Sequence, residues 1–188
     1  MASVSRIREL MHQSRQWLEP SIRISMDEWN VGYAWYRPSS VTDGIYAALV
    51  LHMLMEEAEK SGIALACHFQ AINEGMLCVK PKHVSWTAHG QVFSWMKRWH
   101  MGNRLCSASQ EAVITVDRGG RVSATVVNAA FHRKKPVDFS SFGPCSEAVL
   151  FSSDTVLPPS SFTQSNVLDQ AAGGTLQMPP HSVLFLRF

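Results

Sequence analysis

Residues 22–33 read I-R-I-S-M-D-E-W-N-V-G-Y, a strand pattern that ends in a polar cluster. Apolar side chains alternate over residues 22–26, which predicts a short β-strand. The strand runs into D-E-W-N at residues 27–30, a cluster that strand packing does not require. Open and barrel-shaped α/β folds place their catalytic groups at the carboxyl ends of parallel strands. The segment therefore predicts a catalytic carboxylate, and Glu28 is the candidate nucleophile.

A purely structural interpretation of the acidic cluster stays open at this level. An exposed strand end also carries carboxylates, and Arg23 or Arg37 would then neutralise Asp27 or Glu28. A single glutamate is weak evidence for catalysis, so the local pattern alone favours this alternative. The rest of the sequence has to distinguish the two.

The elements around this strand predict a parallel α/β arrangement. Amphipathic or apolar periodicity predicts three helices, and a continuous apolar run predicts a second strand that is buried on both faces. Thr42 is the expected N-cap of the middle helix. The predicted elements are helices over 3–18, 43–60 and 87–99, strands over 22–26 and 63–69, and a loop through Pro81. Two parallel strands joined by a crossover helix form part of a sheet or barrel, not a whole one.

Beyond residue 103 the hydrophobic period changes to two, which predicts antiparallel strands. The turn D-R-G-G at 117–120 lies between two such strands and predicts a hairpin. Further strands are expected over 136–139, 147–151, 166–168, 175–178 and 182–188. Gly, Pro and Ser clusters separate them at even spacing, which is typical of a β-sandwich. The predicted boundary near 101–103 gives one domain over 1–102 and a second over 103–188.

The composition excludes several function classes. Of 188 residues, 46% are hydrophobic and 17% are charged, as in a globular protein, and the net charge is only +2. The basic residues are scattered, so neither nucleic-acid nor membrane binding is predicted. Four cysteines without C-x-x-C spacing and eight histidines without H-E-x-x-H predict no metal site. No signal peptide is visible and the apolar run over 45–55 is too short to span a bilayer, so a cytoplasmic location is expected if Met1 is the true start.

Two strand-end motifs together resemble a known family. D-E-W-N-V at 27–31 and Q-A-I-N at 70–73 are similar to the seventh- and eighth-strand motifs of the family 51 glycoside hydrolases, the retaining α-L-arabinofuranosidases. The tail over 167–188 resembles the closing strands of the β-sandwich in that family. The resemblance covers nearly the whole chain and implies an α/β plus all-β fold. Its parts would be the last two β/α units of a (β/α)8 (TIM) barrel and a C-terminal antiparallel β-sandwich.

The resemblance also implies roles for individual residues. Glu28 would be the nucleophile that forms the covalent glycosyl-enzyme intermediate, and Gln70 would hold sugar hydroxyls in the subsite beside the cleaved bond. Trp29 and Asn30 would shape the surroundings of the nucleophile. The implied partner is an arabinose-containing oligo- or polysaccharide, and no cofactor is implied. The reaction would release terminal non-reducing arabinofuranosyl residues in the catabolism of L-arabinose and hemicellulose.

The sequence departs from the family pattern at two points. Gly32 stands where the family usually has a Trp that walls the sugar site, and the aromatic candidates to replace it are Tyr33, Trp35 and Tyr36. A retaining mechanism also needs a second carboxyl about 5 Å from the nucleophile. The family carries that acid on its fourth strand, after an Asn. This chain begins within what would be the sixth helix, so the fourth strand is not expected here.

Glu74 follows Asn73 in the Asn-Glu order of the family acid, but Asn73 already belongs to the eighth-strand motif. The isolated chain is therefore expected to have little or no hydrolase activity and to need the N-terminal barrel segment or another subunit as a partner. Two other functions stay open: a non-catalytic β-sandwich interaction module with a remnant barrel segment, and an oligomer in which chains complete each other's sheet. The sandwich half contains no Trp, which argues against sugar binding there.

Overall fold

The first part of the chain contains two parallel strands that a buried helix connects. The computed structural model describes residues 2–31, 37–73 and 75–188. The first part of the chain contains α1 (Ala2–Gln16), β1 (Ile24–Trp29), α2 (Val41–Glu57), β2 (Ile63–His68), β3 (Leu77–Lys80), β4 (His83–Trp86) and α3 (Ala88–His100). The predicted order of helix, strand, helix, strand and helix is present, and β3 and β4 are an addition to it.

β1 and β2 form a two-stranded parallel sheet. The pairing runs from Ile24 opposite Ile63 to Trp29 opposite His68. The predicted end of β1 at Met26 is wrong, because the strand continues through three residues of the polar cluster. The acidic residues of that cluster therefore lie within the last part of the strand and not in the loop after it.

β2 is less covered than the sequence predicts. Leu65 is 54% exposed, and Ala64 is exposed as well. The prediction of a strand buried on both faces is therefore wrong. In the described part of the chain this sheet contains only β1 and β2, so its side chains lack the neighbours that further strands would provide.

α2 is buried over most of its length, as its apolar sequence predicts. Ala47 and Met53 are completely buried, and the helix packs against α1 and α3. The N-cap is Ser40 rather than the predicted Thr42, since the Ser40 N–H donates to Oδ2 of Asp43 at 2.8 Å. The carboxylate in the first turn also interacts favourably with the helix dipole. The loop before α2 is thus tied to the helix itself.

The stretch predicted as a loop through Pro81 is a β-hairpin. β3 and β4 pair antiparallel, with Cys78 opposite Ser85 and Lys80 opposite His83. Both strands have only four residues and are largely exposed, so hydrophobic periodicity does not reveal them. The hairpin lies between the end of β2 and the start of α3.

The C-terminal part of the chain is antiparallel β-structure. Its elements are β5 (Arg104–Ala108), β6 (Ala112–Val116), β7 (Val122–Asn128), β8 (Lys135–Asp138), β9 (Glu147–Ser152), β10 (Thr163–Asn166), α4 (Leu168–Ala171), β11 (Thr175–Met178) and β12 (Ser182–Arg187). One sheet has the order β10–β9–β12–β7–β6–β5, and β8 pairs with β11 in another. The strand predicted over 166–168 is wrong, because Oδ1 of Asn166 accepts a hydrogen bond from the N–H of Leu168 at 2.9 Å and the chain turns into α4.

The six-stranded sheet carries a hydrophobic core on each face. On one face Phe151 and Phe185 belong to the same core as Trp99 of α3. On the other face Leu184 packs in a second core together with Met178 of β11. The helices of the first part therefore pack directly on the sheet of the second. Among the described residues, no helix is both long and apolar enough to cross a bilayer.

Candidate active site

Glu28 is the penultimate residue of β1, and its side chain is exposed. Its neighbour Trp29 is 6% exposed. The pairing with β2 shifts register between Met26 and Trp29, and Asp27 and Glu28 are both exposed there while Met26 and Trp29 pack on the core. Glu28 makes no hydrogen bond or ion pair with a described residue. Its carboxylate is thus available to an incoming ligand.

The two arginines of the structural interpretation are engaged elsewhere. Arg23 donates to the carbonyl oxygens of Gly62 and Ile63, each at 3.0 Å. Arg37 donates to both carboxylate oxygens of Asp43, one of them at 2.7 Å, and these hydrogen bonds raise the pKa of Arg37. Neither arginine forms an ion pair with Asp27 or Glu28. The ion pairs expected if the acidic cluster were purely structural are therefore not formed.

Gln70 follows β2 at the same end of the sheet at which Glu28 lies, and it is exposed. The N–H of Phe69 donates to the carbonyl oxygen of Trp29 at 3.0 Å. In return, Nδ2 of Asn30 donates to the carbonyl oxygen of Phe69 at 2.5 Å. These two hydrogen bonds join the carboxyl ends of the neighbouring strands. Glu28 and Gln70 therefore lie at the same end of the sheet.

Gly75 allows the loop after β2 to fold back on itself. A Cβ atom at this position would lie 2.0 Å from the carbonyl oxygen of Gln70 and 2.4 Å from Cε1 of His68. Such contacts are far inside van der Waals separation, so a larger residue would displace the loop. The N–H of Leu77 closes the loop by donating to the carbonyl oxygen of Ala71 at 2.8 Å. The position of Gln70 therefore depends on this glycine.

Trp29 packs in an aromatic cluster at the carboxyl ends of the two strands. Its ring meets His68 edge-on, with centroids 4.8 Å apart, and stacks on Phe93 of α3 at 5.6 Å. Aromatic pairs in these geometries contribute about 0.5–1.5 kcal/mol beyond their buried area. Trp29 thus anchors the end of β1 on α3 and is itself buried.

The half-buried His68 lies next to Trp29, and the buried His89 lies next to His68. The rings of His68 and His89 are 5.0 Å apart. Burial is the main cause that lowers the pKa of each to about 4; the charge of His89 contributes to the shift at His68, and Asp43 partly opposes the shift at His89. Both rings are therefore neutral at pH 7. Within the described part of the chain, no three His, Cys, Asp or Glu side chains are grouped to hold a metal ion.

A cavity of about 720 Å³ opens beside the strand ends. Asn30 and Val31 line it after β1, and Asn73 lines it after β2, whereas Glu28 and Gln70 do not. The hairpin β3–β4 supplies a further wall. The cavity is not evident from the sequence, because the hairpin that lines it has no clear hydrophobic periodicity.

Some sequence predictions concern residues outside the described part of the chain. Glu74, the alternative acid, is one of them. Gly32 and the aromatic residues that would replace the family Trp also lie there. These predictions stay predictions.

No protein-family model matches the sequence, and no curated protein matches it. Solved structures do match. The α-L-arabinofuranosidase of family 51 from Thermotoga petrophila RKU-1 has a TM-score of 0.75 at 15% identity, over 100% of this chain and 49% of that one. A family 51 enzyme from Bifidobacterium longum has a TM-score of 0.71 at 14% identity, over 100% and 48%. The chain has the fold of part of a family 51 α-L-arabinofuranosidase.

A third arabinofuranosidase, from Xanthomonas axonopodis pv. citri, agrees, with a TM-score of 0.71 at 13% identity over 99% of this chain and 46% of that one. The chain thus spans about half the length of these enzymes. The resemblance predicted from the strand-end motifs is confirmed at the level of fold. The helix-and-strand segment followed by antiparallel sheets fits the barrel-plus-sandwich arrangement of arabinofuranosidases.

Proposed function

We propose that the chain is the C-terminal part of a retaining α-L-arabinofuranosidase, in which Glu28 is the nucleophile and Gln70 binds the arabinofuranosyl hydroxyls. The observation that carries the proposal is the placement of the two side chains. Both are exposed at the joined carboxyl ends of two parallel strands, and Glu28 has no competing partner among the described residues. That edge is where parallel α/β folds carry catalytic groups. The arabinofuranosidase fold supplies the substrate class.

In the proposed reaction the Glu28 carboxylate attacks the anomeric carbon and forms a glycosyl ester, while a second carboxylic acid protonates the leaving oxygen. That second group then removes a proton from water, which hydrolyses the ester and restores both carboxyls. Asn30 and Trp29 would position the nucleophile through the contacts described above. A polypeptide segment outside this chain would provide the acid.

We further propose that residues 1–102 are the last two units of a (β/α)8 barrel and that residues 103–188 are the sandwich domain. The two-stranded sheet supports this proposal, since β1 and β2 each pair with one strand only among the described residues. Exposed strand edges present unpaired backbone groups that further strands satisfy. The preceding barrel segment, or another subunit that provides it, would pair with these edges. The isolated 188 residues would then have little or no hydrolase activity.

Hydrolysis of 4-nitrophenyl α-L-arabinofuranoside tests the proposal. We expect no nitrophenol from the chain alone, and release when it is co-expressed with a polypeptide that provides the preceding β/α units. In that complemented protein Glu28→Gln should abolish turnover, whereas Asp27→Asn, at the neighbouring exposed carboxylate, should leave most of it. Azide added to a Glu28→Ala variant should form the glycosyl azide of inverted configuration, because azide then replaces the missing nucleophile.

The other outcomes distinguish the alternatives. Turnover by the chain alone would contradict the dependence on a further segment and would make Glu74 a candidate acid. Turnover that survives Glu28→Gln would contradict the role of Glu28. If no complemented protein is active, the chain is better explained as a non-catalytic interaction module with a remnant barrel segment.

A further inference from the structure

The cavity beside the strand ends has walls from three distant parts of the chain. The loop before α2 contributes Ser39, the hairpin contributes Lys80 and Trp86, and the loop between β9 and β10 contributes Ser160 and Ser161. Its volume of about 720 Å³ lies within the range of about 300–1,000 Å³ that is typical of small-molecule sites. Because the cavity reaches the strand ends but not the proposed nucleophile, a ligand in it would lie beside the glycosyl site.

Trp86 presents a supported aromatic surface at this cavity. It is 53% exposed, although it is the last residue of β4 and pairs with Leu77. On its protein side the ring lies against Gly90, where a Cβ atom would come within 2.5 Å of Cε3 of the indole. The backbone of α3 therefore supports the ring while much of it stays open to solvent. An exposed indole with a fixed orientation is suited to stacking on the apolar face of a sugar.

His89 adds buried hydrogen-bonding capacity to the same cavity. It is 3% exposed and lines the cavity, and neither ring nitrogen has a hydrogen-bond partner among the described residues. A buried polar group without a partner is unfavourable, so a ligand that pairs with it gains affinity. The neutral ring offers one donor and one acceptor, which suits hydroxyl groups. Asn73 lies in the same lining, and its Oδ1 already accepts from the N–H of Val79 at 2.7 Å, which leaves its Nδ2 to donate to a ligand.

The loop between β9 and β10, which contributes to the cavity lining, is held in place by hydrogen bonds to other parts of the chain. Gln91 of α3 pairs with Phe162 through two hydrogen bonds, from Nε2 to the carbonyl oxygen at 2.8 Å and from the Phe162 N–H to Oε1 at 2.9 Å. The N–H of Ser160 donates to the carbonyl oxygen of Ser39 at 3.1 Å, and its Oγ accepts from the N–H of Val41 at 3.0 Å. A preformed wall reduces the conformational entropy that binding removes.

We propose that this cavity is a second saccharide subsite, which binds a neighbouring sugar unit by stacking on Trp86 and by hydrogen bonds to His89 and Asn73. The inference rests on the proposed function for the class of ligand. The Arg37–Asp43 pair in the lining is mutually neutralised, Lys80 is a further charged residue there, and most of the other polar side chains are hydroxyls and amides. An uncharged pentose oligosaccharide fits this chemistry.

Binding without turnover tests the subsite separately from the proposed function. The 188-residue chain is titrated with α-1,5-L-arabinotriose in a calorimeter at millimolar concentration. We expect Trp86→Ala to raise Kd about tenfold or more, as truncation of an aromatic anchor does. Trp17→Ala is the matched control, since Trp17 is 86% exposed beyond the end of α1 and does not line the cavity. It should leave Kd unchanged.

A second variant fills the cavity from the loop between β9 and β10. Ser161 is exposed there, so Ser161→Trp should fold with an unchanged Tm and raise Kd as Trp86→Ala does. No binding of the trisaccharide, or a Kd that both variants leave unchanged, would overturn the subsite. Such a result would not touch the proposed function, which depends on turnover and on Glu28→Gln in the complemented protein.

Discussion

The side-chain amide of Asn30 donates a hydrogen bond to the backbone carbonyl of Phe69 at 2.5 Å. This contact joins the residue after β1 to the residue after β2. The two residues are 39 positions apart in the sequence but are in direct contact in the fold. The end of the sheet that carries the candidate nucleophile is therefore joined by a side-chain hydrogen bond in addition to the backbone hydrogen bonds between the strands.

Asn30→Ala should lower the free energy of unfolding by about 1 kcal/mol, because a partly buried hydrogen bond between the strand ends is lost. Urea denaturation of the 188-residue chain measures the change. Gln70→Ala is the matched control, since the Gln70 side chain is exposed. Its free energy of unfolding should stay within about 0.5 kcal/mol of the wild-type value. Equal effects of the two variants would contradict the role assigned to Asn30.

Gly75→Ala should destabilise the protein by about 1–3 kcal/mol, as overpacking in a tight contact does. The added methyl group would meet the carbonyl oxygen of Gln70 at 2.0 Å. Gly173→Ala serves as the control, because a Cβ atom at Gly173 would meet nothing within 4 Å. Thermal unfolding of both variants checks this prediction, and a Tm of Gly75→Ala equal to that of the wild type would show that the loop relaxes freely.

Asp43→Ala should lower the free energy of unfolding by about 2 kcal/mol, because it removes both a charged pair and a helix cap. Asp43 is 3% exposed and accepts from Arg37 and from the Ser40 N–H. Glu9→Ala removes the exposed pair between Arg6 and Glu9, and it should cost at most about 0.5 kcal/mol. Chemical denaturation compares the two variants, and similar losses would contradict the importance of the cap.

The stability of the chain should fall as the pH falls below about 6.5, the ordinary pKa of histidine. Burial lowers the folded-state pKa of His52 to about 3 and that of His100 to about 4. Between these values and 6.5 the unfolded chain binds more protons than the folded one, so the free energy of unfolding decreases with decreasing pH. For His100 the loss between pH 7 and pH 5 is about 1–2 kcal/mol.

Urea denaturation at several pH values measures this dependence. His100→Gln should reduce the slope, because one proton-binding difference is removed, although the hydrogen bonds of His100 with Thr115 and Thr125 make the variant less stable at pH 7. His83 is exposed, and His83→Gln should leave the slope unchanged. A slope that both variants share with the wild type would contradict the assignment to buried histidines.

The sequence predicted those features of the fold that lie in continuous motifs. D-E-W-N at 27–30 and Q-A-I-N at 70–73 give the two strand ends and the related family. The apolar run of α2 gives its burial, since an all-round apolar helix must be covered. These features are local in sequence, so periodicity and motif order are sufficient to find them.

The remaining features depend on contacts that periodicity does not encode. The hairpin β3–β4 is short and largely exposed, so it carries no clear pattern. Trp86 and His89 form one cavity only because the loop at 159–161 reaches them from the sandwich, a placement that long-range packing decides. The exposure of Leu65 likewise depends on which strands are present beside β2.

The shared core of α3 and the six-stranded sheet has a consequence for protein engineering. Trp99 contributes to the same hydrophobic cluster as Phe151 and Phe185, so a cut between α3 and β5 would divide a continuous interior. A chimera that exchanges only the sandwich would expose large aromatic surfaces on both pieces. The practical unit for exchange between proteins of this fold is therefore the two strands, their helices and the six-stranded sheet together.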